Sequence, residues 1–139
     1  MTRINADLRP RVLTDQHLMA EYRELPMVMA SLRRSLRTRS VADIISGIPS
    51  EFTLNRGHVT FFYDKLLFLE ERYGRLVAEL QSRKFSLDPG RQLDFTGIPP
   101  EFFNDWKQTT EAAETVRERI EGKLLMKPGW YRFRGCPII

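Results

Sequence analysis

Two apolar stripes with the period of an α-helix constrain this chain more than any other feature. In the first, Leu18, Tyr22, Leu25, Met29, Leu32 and Leu36 follow one another at alternating steps of four and three residues; Phe62, Leu66, Leu69, Tyr73, Leu76 and Leu80 repeat the rhythm. Side chains so spaced share one face of a helix, and a one-sided apolar helix must bury that face. The first stripe predicts a helix from about Leu18, capped by Thr14 or Asp15. Pro26 falls inside it and removes one backbone donor, but the stripe continues in phase, so a bend near Tyr22 is expected rather than an end. The second stripe predicts a helix over about 59–84, and the sparser set Ala113, Val116, Ile120 and Leu124 predicts a third over about 105–126, stopped by Pro128-Gly129.

Between the first two helices, "SGIPSEF" and "NRG" read as turns around one short helix. The connector "SLDPGRQLDFTGIPPEF" is long enough that it must pack on the helices or serve a function. β-alternation is weak throughout. With 139 residues, 42% of them hydrophobic, the expectation is an all-α fold in a single domain spanning 1–139.

The lone cysteine, Cys136, excludes an internal disulfide and a thiolate metal cluster, and His17 and His58 are the only imidazoles. No metal or cofactor is expected. A reducing compartment fits this usage, and the N-terminus carries no apolar signal region, so a cytoplasmic protein is expected. The net charge of +4 makes an anionic partner plausible without identifying it.

Wound at about 100° per residue, the first helix turns Gln16, Arg23, Met27 and Arg34 away from the apolar stripe, with His17 and Glu24 on one flank. A solvated helix face is the ordinary reading of such a ridge. Further features favour nucleic acid: Arg33, Arg37 and Arg39 downstream, Arg119 and Lys123 one turn apart on the third helix, and Trp130, Tyr131 and Phe133 alternating with Arg132 and Arg134. Basic groups bind phosphates and aromatic faces stack on bases. Taken singly, Trp130 and Phe133 are better explained as core residues.

Glu24, between Arg23 and Leu25-Pro26, could be no more than an intrahelical partner of a basic side chain. A catalytic role requires something to activate, and the chain shows no Ser-His-Asp pattern, no Cys-His pair and no Gly-rich phosphate loop. One nucleophile remains. An initiator Met before Thr is commonly removed, leaving the α-amine of Thr2, whose pKa of about 7.7–8.0 leaves an appreciable unprotonated fraction at neutral pH. Such an amine can attack an electrophilic carbon and form an imine.

The stretches "MTRIN" (1–5), "DQHLMAEYRELP" (15–26), "GHVTFFYDKL" (57–66) and "WY" (130–131) closely resemble the pyrimidine-dimer DNA glycosylase/AP lyase family, the phage-type endonuclease V. The resemblance implies a monomeric bundle of three main helices with long loops and the N-terminal segment lying between the helices. It implies an enzyme of UV-damage repair that kinks duplex DNA at a cyclobutane pyrimidine dimer and flips the opposing base outward. The enzyme cuts the glycosidic bond of the 5′ pyrimidine and nicks the strand by β-elimination. By position it makes Thr2 the nucleophile and Glu24 the catalytic carboxylate, with Arg3, Gln16, His17 and Arg23 around the lesion. Arg119 and Lys123 become phosphate contacts and Trp130 and Tyr131 a tail near the damaged strand, with Arg34 on the DNA-facing ridge. One departure stands out: the family pattern puts a basic residue after "ELP", where this chain has Met27. Two alternatives use the same residues differently, namely amine chemistry on another damaged base or on abasic sites alone, and a non-catalytic basic DNA-binding protein.

Overall fold

The computed structural model describes residues 3–138. The chain is helical, in the order α1 (Asp15–Glu24), α2 (Pro26–Leu36), α3 (Val41–Ser46), α4 (His58–Phe61), α5 (Leu66–Ser82) and α6 (Thr110–Met126). A hairpin of two-residue strands, β1 (Arg132–Phe133) and β2 (Cys136–Pro137), follows α6, pairing antiparallel with Arg132 opposite Pro137. Weak β-alternation could not reveal so short a hairpin. No helix among the described residues is long and apolar enough to cross a membrane.

The first stripe is split where a bend was expected. Leu25 keeps helical angles, φ −54° and ψ −43°, and its N–H still reaches Glu21 O at 2.8 Å. Pro26 cannot donate to Tyr22, so the ladder stops there and restarts with Pro26 in the first turn of α2. The apolar face stays in register across the break: Leu18, Tyr22, Leu25, Met29 and Leu32 are all buried. At its start α1 is capped by Thr14, whose Oγ1 accepts the His17 N–H at 3.1 Å.

The second predicted helix begins later than its stripe. Lys65, at φ −127° and ψ 38°, separates α5 from α4 and from a single 3₁₀ turn over Phe62–Asp64. Phe62 is nevertheless fully buried, because the turn delivers it to the core that the α5 stripe fills. The third helix is also shorter than expected. It starts at Thr110, capped by Thr109, and residues 105–109 form a connector without regular secondary structure.

α1 packs on α5, with Tyr22 stacked on Tyr73 at 5.5 Å. Phe52, Phe61, Phe62, Phe68 and Trp106 meet edge to face or stacked at centroid separations of 5.1–6.1 Å, closing the end of the core near α4. The N-terminal segment threads between these elements. Ile4, Asn5 and Ala6 are buried, and Ala6 takes the left-handed conformation, φ 49°, in a turn closed by Leu8 N–H to Asn5 O. That turn brings Ala6 and Leu8 against Ala112, Ala113 and Val116 of α6. The apolar side of α6 thus docks on the N-terminal segment.

Candidate active site

An arginine and a glutamate lie in the middle of the apolar faces of α5 and α1. Arg72 is three residues from Leu69 and four from Leu76, and Glu21 is three from Leu18 and four from Leu25, so each interrupts the stripe it belongs to. Both side chains are completely buried. Arg72 grips both carboxylate oxygens of Glu21, through Nε and, at 2.9 Å, through Nη2. Its Nη1 donates to Leu8 O at 2.8 Å, and Asn5 Nδ2 donates to Glu21 Oε1 at 2.7 Å. The pair therefore ties α1 to α5 and seats the N-terminal segment on both. Among the described residues every buried side-chain polar atom has a hydrogen-bond partner, as a low-dielectric interior requires.

Arg119, half-buried on α6, stands at the centre of the candidate site. Burial and the like charge of Arg3 lower its pKa from the ordinary arginine value, while Glu24, Tyr131 and Glu21 act to raise it. Glu24 closes α1 and is half-buried. Pro26, by freeing the last turn of α1, leaves this carboxylate at a helix end rather than within a continuous helix. His17, about two turns earlier on the same flank of α1, is buried and stacked on Tyr131, ring centroids 4.7 Å apart and planes 6° from parallel. Burial and then the cations Arg119 and Lys123 lower its pKa to about 4, so its ring is neutral at physiological pH.

The tail reaches α1 through two side chains of the first turn. Gln16 donates from Nε2 to Trp130 O at 2.8 Å and accepts the Arg132 N–H on Oε1 at 2.9 Å. These bonds bracket Tyr131 and hold its ring over His17. Asp15 accepts from Gly135 N at 2.8 Å, from Arg134 N at 3.1 Å and from the buried Arg83 at 3.0 Å. Gln16, expected on the outward ridge, is thus half-buried. Trp130, singly expected in the core, is 52% exposed, its ring perpendicular to that of Tyr131 and with Lys127 Nζ 4.8 Å from its ring centre. The docking bonds are made to the backbone of residues 130–135, so the Trp130 side chain is carried on the surface while Tyr131 is buried.

Arg3, Glu24 and Tyr131 thus act electrostatically on Arg119, while Arg119 and Lys123, exposed on the next turn of α6, act on the His17 ring that Tyr131 covers. Arg23 is exposed at the end of α1. Arg34 and Met27 line a surface hollow of about 420 Å³ between α2 and α4, which shares no lining residue with that cluster. Thr2 lies outside the described residues. Sequence reasoning passed over Glu21, Arg72 and His58. For the first two a signal existed, since a charge at stripe spacing on each of two helices that must pack together marks a buried pair.

The family model described as pyrimidine dimer DNA glycosylase matches residues 1–93 of the chain, from the N-terminal segment through α5. Arg119, Lys123, Trp130 and Tyr131 fall beyond the match. A span of that length, two-thirds of the 139 residues, covers Glu24, His17, the buried Glu21–Arg72 pair and the segment they hold, and on it this chain belongs to the pyrimidine dimer DNA glycosylase family.

Proposed function

We propose that the protein cleaves the N-glycosidic bond of the 5′ pyrimidine of a cyclobutane dimer with the α-amine of Thr2, once Met1 is removed, and then nicks the strand as an AP lyase. The observation that carries this reading is that Glu24 and Arg3, the residue next to Thr2, both act on the charge of the half-buried Arg119. The neutral amine attacks C1′ of the sugar. The glycosidic bond breaks toward the base nitrogen, which takes up a proton, and the freed pyrimidine stays tethered to its neighbour through the dimer ring. The C1′–O4′ bond then opens, the proton on nitrogen passes to O4′, and a C1′ imine remains. Loss of a C2′ proton expels the 3′ phosphate.

Glu24 serves several of these steps. Bond breaking at C1′ develops oxocarbenium character, which the Glu24 carboxylate stabilises. The same carboxylate mediates the proton transfers of ring opening and elimination. Arg119 and Lys123 hold phosphate, Arg3, Gln16, His17 and Arg23 surround the lesion, and Arg34, Trp130 and Tyr131 extend the contact with duplex DNA. A dimer weakens stacking, so kinking the duplex and flipping a base there costs less than in intact DNA.

The test is trapping with sodium borohydride, which reduces an imine to a permanent link. A dimer duplex is expected to yield a covalent adduct mapped to Thr2, and Glu24→Gln, nearly isosteric, to keep duplex binding while losing the adduct. An adduct on a lysine, or undiminished cleavage by Glu24→Gln, refutes the assignment. Trapping on abasic duplexes only would move the substrate to abasic sites.

A further inference from the structure

His58 opens α4 behind Gly57, which adopts φ 102° and lies so close to Pro49 that a Cβ would come within 3.1 Å of its Cγ. The tight turn delivers the imidazole into the interior, where His58 is 2% exposed and meets Phe52 and Phe62 edge to face, each at 5.5 Å. Nδ1 is 2.7 Å from Thr53 O, and the Ile4 N–H donates to Nε2 at 2.8 Å. A carbonyl oxygen can only accept and an amide N–H can only donate. Both bonds therefore exist together in one species, the neutral ring with its proton on Nδ1. Burial, with Arg3 and Arg119 adding to it, lowers the His58 pKa to about 4 against the raising effects of the Thr53 bond and Glu21.

A buried histidine that merely filled the core would need no bond to this particular amide. Ile4 is two residues from Thr2, and two residues span at most about 7 Å. Resting on the amine chemistry proposed above, we propose that His58 is a positioning residue for that chemistry: by accepting the Ile4 N–H it fixes the register of the N-terminal segment and so the place from which the Thr2 amine attacks. The Glu21–Arg72 pair holds the same segment further along, at Asn5 and Leu8, so His58 sets the end nearest the amine.

The experiment uses the full chain with Met1 removed, verified by mass spectrometry, in wild type and two polar variants. His58→Asn offers an amide donor in place of Nδ1–H toward Thr53 but is too short to reach Ile4. His58→Gln extends a carbonyl oxygen to about the position of Nε2. Single-turnover borohydride trapping on an abasic duplex gives the chemical rate, and binding to a duplex holding a tetrahydrofuran abasic analogue gives affinity without chemistry. His58→Asn is expected to slow trapping by roughly tenfold to a hundredfold while the tetrahydrofuran-duplex Kd stays within about threefold. His58→Gln is expected to recover most of that rate. Trapping by His58→Asn at the wild-type rate overturns the proposal, as does a loss of rate in His58→Gln equal to that in His58→Asn, and so does a fall in affinity that accounts for the whole effect. Wild type that forms no adduct at Thr2 overturns the amine reading itself and the positioning role with it, a result distinct from an adduct that forms regardless of residue 58.

Discussion

Glu21→Gln is the substitution whose effect the structure specifies most closely. The carboxylate sits with no solvent exposure, accepting from Arg72 on both oxygens and from Asn5 on one. The amide that replaces it has one accepting oxygen, so its NH₂ must face a donor, either Arg72 Nε–H or both Arg72 Nη2–H and the Asn5 amide. The Arg72 charge also remains, buried, with Leu8 O and the half-exposed Asp7 carboxylate 3.9 Å away as its remaining partners. Removing one member of a buried pair costs about 3–5 kcal/mol, against a total of about 5–15 kcal/mol for a domain. In a chain of this size that is a Tm drop of about 10–20 °C. Urea titration followed by circular dichroism reads it as a lower midpoint at unchanged slope. The double variant Glu21→Leu with Arg72→Met removes both charges and keeps apolar volume, so it is expected to lose less than either single change, with a coupling above about 2 kcal/mol. Additive losses, or a single-variant loss under about 1 kcal/mol, would refute the reasoning. Borohydride trapping by Glu21→Gln at low temperature is expected to slow as well, because the charged acceptor that seats Asn5 is gone.

Three further outcomes concern the histidines, the basic residues of α6 and Met27. His17 and His58 both have folded pKa values near 4, below the ordinary 6.5, so the unfolded chain binds more protons between those values. Their contribution to stability is full above pH 6.5 and drains as pH falls toward 4; at pH 5 a loss of about 1–2 kcal/mol per histidine is expected in urea melts, and His58→Gln should remove its share. Lys123→Ala, at an exposed position, is expected to lower the slope of log affinity against log salt by about 0.9 and leave the trapping rate alone. Arg119→Ala should lower both, because its charge also acts on Glu24; equal effects of the two substitutions on trapping would contradict the geometry. Met27→Arg, at a position 53% exposed beside Arg34, is expected to tighten binding to undamaged duplex and steepen the salt slope by roughly 0.9. A flat slope with altered lesion preference would make Met27 part of a recognition surface instead.

Amphipathic period alone was enough to place the main helices and their inward faces: the residues of both stripes are buried on either side of Pro26, except Leu36, which is half-buried. Local chemistry also marked the Thr14 cap and the stop after Met126, since each depends on neighbours along the chain. Helix starts were less legible, because Lys65 and the stretch before Thr110 leave helical geometry for contacts made elsewhere in the fold. The "MTRIN" and "DQHLMAEYRELP" motifs suggested one site, but spacing could not say how the N-terminal segment is held against α1 and α5. That was decided by the fold, through long-range bonds that join Ile4 to His58, Asn5 to Glu21 and Leu8 to Arg72 across separations of 54, 16 and 64 residues. The same holds for Tyr131, which reaches His17 because Asp15 and Gln16 capture the tail backbone from α1. Periodicity records which face of a helix leaves water, a property of each segment by itself; which buried donor meets which buried acceptor depends on the relative placement of segments distant in the chain, and only tertiary packing sets that.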